Sequence, residues 1–148
     1  MTKIEKDADT LNLETGRLCL DFANTVDWHA SDHPVEGFNS YSDLVSWAQR
    51  VGVLTDGEAR QLFEAAARHP AETTAILEQA ISLREAIYRI FSAVAGGRPA
   101  EAADLAILNV ALSEAFMRLQ VVQTADGFSW GWIGDEESLS RMLWPVAR

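Results

Sequence analysis

The sequence contains a single cysteine, Cys19, among 148 residues. An internal disulfide and a cysteine-rich zinc site are therefore both excluded. Its position between Leu18 and Leu20 fits a buried, inert thiol. Basic residues are also scarce. There are 12 Lys and Arg against 22 Asp and Glu, a net charge of −10. The basic residues are scattered, whereas a nucleic-acid-binding face concentrates them to neutralise phosphates. No direct nucleic-acid binding is expected of this chain. No uninterrupted apolar run reaches 18 residues, so no membrane span is expected. The opening MTKIEKDADT lacks the apolar stretch of a signal peptide, and the expected location is the cytoplasm. A nucleophile elbow, a Walker loop, a dinucleotide fingerprint and the HExxH pattern are missing as well. The three histidines, the cysteine and the serines form no interpretable triad. The reading is therefore not an enzyme, with no catalytic residues and no cofactor.

What is present suits one ordinary domain with its own core: 48% hydrophobic residues and five tryptophans. Residues 1–12 read as a polar tail and 13–148 as a single domain. Residues 17–23, RLCLDFA, read as a strand, and residues 27–39 as a loop rich in Asp, His, Ser, Pro and Gly. SYSDLVSWAQRVG predicts a short helix capped by Ser40 or Ser42, with Leu44, Trp47 and Ala48 on one face. Thr55-Asp56-Gly57-Glu58 fits a capping box and opens a second helix that His69-Pro70 ends. Ile76, Ala80, Leu83, Ile87, Ile90 and Val94 are spaced for a central helix over about 71–94. A fourth helix is predicted over about 99–118, with Leu105, Leu108, Leu112, Ala115 and Leu119 as its stripe.

Asp126-Gly127 then marks a hairpin between two β-prone runs. Alternation places Leu119, Val121 and Gln123 on one face of the first strand, and Phe128, Trp130 and Trp132 on one face of the second. A last helix is expected from near Asp135, stopped by Pro145. Glu136-Glu137 at its start reads as a helix-capping pair. The whole reads as an α+β fold, mostly helical. About five helices pack with a small antiparallel sheet made from the N-terminal strand and the C-terminal hairpin.

Two polar residues stand where apolar ones belong. At about 100° per residue, Arg84 falls between Leu77 and Phe91, and Asn109 beside Leu105 and Phe116. A buried guanidinium or amide must be paired. Asp21 and Asn24 offer matching chemistry, since a carboxylate can accept both prongs of an arginine. Two readings stand. In the first, Asp21 pairs Arg84, while Asn24 and Asn109 tie the strand to the helices. In the second, the same groups line a pocket for a small polar ligand, with Arg84 anchoring a carboxylate or phosphate.

His29 and His33 have the i, i+4 spacing that suits a metal on a helix. Pro34 follows at once and removes the helix. A loop carrying two histidines with Asp27 or Asp32 could still hold zinc, but exposed loop histidines are the better reading, and no metal is expected. Trp130 and Trp132 read as packing residues of the hairpin.

Several segments together resemble a known family. GRLCLDFANTVD is similar to the G-x-L-x-LDF-x-NT opening of the bacterial CGNR zinc-finger proteins. YSDLVSWAQRVGVL resembles their next helix, LREAIYRIF and DLAILNVAL their central helices, and WPVAR their domain end. The resemblance covers residues 16–148 and is to the N-terminal ABATE domain, a stress-induced transcription regulator domain. In that family a C-terminal zinc finger with a Cys-Gly-Asn-Arg signature follows and is taken to bind DNA. This sequence ends at Arg148 with no such finger, so DNA binding and zinc are expected to lie outside it. The resemblance implies a sensor or dimerisation domain, and a homodimer is one expected partner. Asp21, Asn24, Thr25, Arg84 and Asn109 match the family pattern and are the candidate ligand-binding residues for a small polar or anionic molecule. The alternatives are a structural interaction module without a ligand and, with less support, a metal-dependent hydrolase using His29, His33 and the nearby aspartates.

Overall fold

The computed structural model describes residues 17–27, 29–133 and 138–148. Helix α1 (Arg17–Ala23) leads into two-residue strands β1 (Val26–Asp27) and β2 (Val35–Glu36). Helices α2 (Tyr41–Arg50), α3 (Asp56–Arg68), α4 (Pro70–Ala95) and α5 (Ala102–Met117) follow. Strands β3 (Leu119–Thr124) and β4 (Gly127–Trp132) form the hairpin, and α6 (Leu143–Ala147) closes the described chain. The fold is α+β and mostly helical. No helix of the described residues is long and apolar enough to cross a membrane.

The first segment departs from the expected strand. LCLDFA is a helix, with Leu18 and Phe22 buried at i, i+4 and Ala23 beside them. A seven-residue apolar run fits both periods, and periodicity alone does not separate them. Tertiary packing does: as a helix the segment lays Leu18 and Phe22 into the core beside α4 and α6. It ends where the backbone N–H of Asn24 reaches the Leu20 carbonyl, and both the N–H and the hydroxyl of Thr25 reach the Phe22 carbonyl.

Helices α2 and α3 start where the caps direct. Ser40 accepts from the Asp43 N–H while Asp43 accepts back from Ser40, and Thr55 and Glu58 do the same. Each box satisfies orphan N–H groups of a first turn. Pro70 occupies the first turn of α4, where its missing donor costs nothing. The 26-residue α4, about 39 Å long at 1.5 Å per residue, packs against α1, α2, α3 and α5. Phe22, Leu44, Leu62, Leu83 and Met142 are buried around it. At about 1.5–3 kcal/mol each, such side chains supply the main folding force.

The small β-elements are two separate antiparallel pairs. β1 pairs β2 through Val26↔Glu36 and Asp27↔Val35. Gly37 follows at once, and a Cβ there would stand 2.1 Å from the Thr25 carbonyl oxygen. Only glycine permits this close approach of the two chain segments. β3 pairs β4 with Leu119 opposite Trp132, Val121 opposite Trp130 and Gln123 opposite Phe128, the faces that alternation predicts. Among the described residues, no strand from the N-terminal segment joins this hairpin.

One further expectation changes. Pro145 does not stop the last helix. It lies in the first turn of α6, after a turn at residues 139–142. The expected helix start near Asp135 and the Glu136-Glu137 pair lie outside the described residues, as does the polar tail 1–12.

Candidate functional site

Arg84 is buried, as its place on the α4 wheel predicts, with 1% of its surface exposed. Its partner is not Asp21, which is exposed on α1. The guanidinium instead meets Glu36 of β2 end-on, through both terminal nitrogens. One terminal nitrogen donates to Oε1 and the other to Oε2, the latter at 2.8 Å. Glu85, the next residue on α4, accepts from Nη2 at 2.8 Å and from Nε at 3.2 Å. Arg84 also lies over the Phe38 ring, 5.7 Å from its centroid. Four of the five guanidinium N–H bonds are thus spent on carboxylates.

The chain of hydrogen bonds continues to His29. Its Nε2 is 2.7 Å from Glu85 Oε2, and its ring stacks on Tyr88 with centroids 3.6 Å apart. His29 Nδ1 is buried and has no hydrogen-bond partner. With the proton on Nε2 this leaves an acceptor unpaired rather than a donor. His29 is therefore not the exposed loop residue expected from sequence, whereas His33 is exposed. Among the described residues no group of three His, Cys, Asp or Glu could hold a metal ion.

The electrostatics follow from these contacts. The Arg84 hydrogen bond holds the Glu36 carboxyl below its ordinary range, against a smaller opposing effect of burial. Burial pushes the Glu85 carboxyl up most strongly, but the bonds from His29 and Arg84 together outweigh it and the net shift is downward. Burial opposes the charge on Arg84, and the two glutamates more than restore it. The result is a closed network that pins the β1–β2 turn to α4.

The other candidate residues divide. Asp21, Asn24 and Thr25, at the end of α1, do come together. They line a cleft of about 280 Å³ with Gly37, Phe38, Asp43, Trp47 and Arg50. Phe38 and Trp47 are buried and form its floor, continuous with Phe22 through ring contacts of 5.3–6.0 Å. Asp43, Trp47 and Arg50 reach the cleft from α2 at i, i+4 and i+7, which is one helix face. Asp43 is committed to its cap, accepting from the Asn39 and Ser40 N–H groups at 2.9 and 3.1 Å. Among the described residues, neither Asp21 nor Arg50 has a hydrogen-bond or ion-pair partner.

Asn109 belongs to neither group. It is exposed on α5, which overturns its expected place in the apolar face. The buried side of α5 runs through Asp104, Ile107, Leu108, Ala111 and Ala115. At about 100° per residue Asn109 lies roughly 140° from Asp104. The polar residue that α5 does bury is Asp104, which accepts from Arg89 Nε at 2.9 Å.

Glu36, Glu85 and Arg50 were not singled out by sequence reasoning. Arg50 carried a usable signal in its i, i+3 spacing from Trp47. Glu36 carried none, because it lies in a loop-like stretch without periodicity.

With this geometry in view, one comparison decides the family. Residues 16–148 match the model of the ABATE family, described as "Putative stress-induced transcription regulator". The chain belongs to the ABATE family. The match spans α1 to α6, so both the Arg84 network and the Asp21 cleft lie inside the ABATE domain. No curated protein and no solved structure matches the chain.

Proposed function

We propose that this ABATE domain is the sensing part of a transcription regulator and binds a small polar or anionic molecule in the cleft between α1 and α2. One observation carries the reading: Asp21 and Arg50 flank a floor of buried aromatic rings and are committed to no other described group. Arg50 supplies the charge for a carboxylate or phosphate of the ligand. Asp21 and the Asn24 amide supply acceptors for an amine or hydroxyl, so a compact molecule with both kinds of group fits best. Phe38 and Trp47 cover its apolar side. The acidic balance of the chain supports a division of labour in which DNA contact belongs to another part of the regulator. No catalytic role is assigned to the cleft, and the proposed location is the cytoplasm.

The test is a thermal-shift screen of small carboxylates, amino acids and phosphate esters on the wild-type chain and on Arg50→Gln. A ligand at 100 times its Kd adds about 2.7 kcal/mol to stability, which for a domain of this size raises Tm by roughly 5–10 °C. The expected result is such a rise in the wild type, abolished in Arg50→Gln, whose own Tm is nearly unchanged. A screen in which no compound raises Tm refutes the reading, as does a rise that persists in Arg50→Gln. The closed state of Arg84 favours a second reading, a structural interaction module whose polar groups satisfy one another. It predicts the empty screen.

A further inference from the structure

The hairpin has one apolar face, and the body of the domain covers only its base. Trp132 lies against Trp144 of α6, with ring centroids 6.0 Å apart. Toward the turn the cover ends. Trp130 is 59% exposed and Phe128 75%, and Val121, opposite Trp130, is exposed as well. Phe116 and Met117, which lead from α5 into the hairpin, are also exposed. At the foot of this face opens a cavity of about 670 Å³, lined by Val53, Ile90, Phe91, Leu108, Trp130 and Trp132 among others.

We propose that this surface is where a second copy of the chain docks, the apolar hairpin face of each copy packing against the cavity and hairpin of the other. Three observations select a second copy over other occupants. First, the molecule carries an apolar protrusion beside a cavity whose wall is mostly aliphatic and aromatic, with Arg148 at its rim. A two-fold axis satisfies both at once, because such an interface uses the same patch on both partners. A small molecule filling the cavity leaves Phe128, Val121 and Met117 in water.

Second, the hairpin and the adjoining stretch of α5 are nearly free of charge in a chain whose net charge is −10, and the cavity beside them adds the basic Arg148. Between Leu119 and Ile133 the only charged residue is Asp126, and between Leu105 and Ser113 there is none. Two acidic copies approach here with the least repulsion. Third, the surface is extended: Val121, Phe128, Trp130 and Ile133 of the hairpin and Phe116 and Met117 beside it are all exposed apolar side chains. In addition, the outer edges of β3 and β4 are unpaired among the described residues, and neither strand carries proline or lysine. Solvent-exposed edges usually carry such protection, and an isolated two-stranded hairpin is marginal in water.

The proposal is independent of the Asp21–Arg50 cleft. Its test is sedimentation velocity of the full chain across a range of concentrations. The wild type is expected at twice 16.3 kDa, with association strengthened by added salt because screening relieves the repulsion. Phe128→Ser/Trp130→Ser is expected to be monomeric with an unchanged far-UV circular dichroism spectrum, its association weakened by about thirtyfold or more, the scale of an interface hot spot. Val121→Lys is the companion variant should the double variant fail to fold. A wild type that stays monomeric at the highest concentration overturns the proposal, and so does a dimer that survives these substitutions. A monomer that enhances and blue-shifts the emission of 8-anilinonaphthalene-1-sulfonate while its own tryptophan emission is quenched also overturns it, and assigns the cavity to a small apolar molecule. Arg50→Gln should dimerise like the wild type, so failure of this proposal and failure of the sensing reading are separable.

Discussion

The two ends of the molecule resolve opposite problems. Around α1, the β1–β2 turn and the middle of α4, charged groups enter the interior and are closed off by one another. Arg84 is almost wholly buried, and two carboxylates and an aromatic face meet it. Around α5 and the hairpin, apolar groups stand in water. Phe128 is 75% exposed while Arg84 is 1% exposed, which reverses what residue type alone suggests. A buried charge without partners costs too much to persist, so a chain that buries one must supply its counter-charges in the same fold. An exposed phenylalanine carries no such penalty within the monomer, and a partner can cover it later.

The largest effect tests the closed end. Arg84→Ala removes the guanidinium, leaves Glu36 and Glu85 facing each other, and opens a cavity. A loss of about 3–5 kcal/mol in urea unfolding is expected. A loss below 1 kcal/mol breaks the comparison. Tyr41→Phe comes next. The Tyr41 hydroxyl donates to the Leu139 carbonyl at 2.6 Å and ties α2 to the segment before α6. Burial raises its pKa well above the ordinary tyrosine value, as expected for a hydroxyl kept neutral. Its removal leaves a buried carbonyl unsatisfied and should cost about 1–3 kcal/mol by the same measurement.

A smaller effect follows from pH. The folded pKa values of Glu36 and Glu85 lie below the ordinary 4.5. Their contribution is therefore complete above about pH 4.5 and is lost as pH falls through the depressed folded values. Urea midpoints should fall steeply on acidification below that point, and Arg84→Met should flatten the slope. An unchanged slope in Arg84→Met would place the acid sensitivity elsewhere. The smallest effect belongs to the open end. Phe128→Ser, measured at a concentration dilute enough to keep the chain monomeric, should change stability by no more than about 0.5 kcal/mol. A larger loss would mean that the hairpin tip packs within its own domain.

How far each feature was legible depends on the range of the forces that set it. Capping boxes at Ser40–Asp43 and Thr55–Glu58 act over three residues, and both were readable. The hairpin faces were readable because strand alternation has a period of two and the two-residue Ala125-Asp126 turn, with Gly127 just after it, fixes the register. The burial of Arg84 was readable because α4 has a clear apolar sector around it. Asn109 was misread because α5 is apolar nearly all round, and a wheel without a polar side has no direction. Residues 17–23 were misread as a strand because seven apolar-rich residues fit either period. The cleft was half legible. Asp21, Asn24 and Thr25 were named, but the basic group facing them is Arg50 and not Arg84.

The sequence by itself determined that this is an acidic, mostly helical α+β chain. It also determined where α2 and α3 start, which way the hairpin faces and which arginine must be buried. Each of these follows from local spacing or from a composition that allows no other arrangement. Only the tertiary structure decided that Glu36 and Glu85, rather than Asp21, close on Arg84, and that Asp21 faces the cleft with Arg50. The reason is physical. A buried charge specifies that it must have a partner, while the identity of the partner depends on which distant backbone segment is brought within about 3 Å of it. Here that segment is the β1–β2 turn, held by the close approach that Gly37 allows.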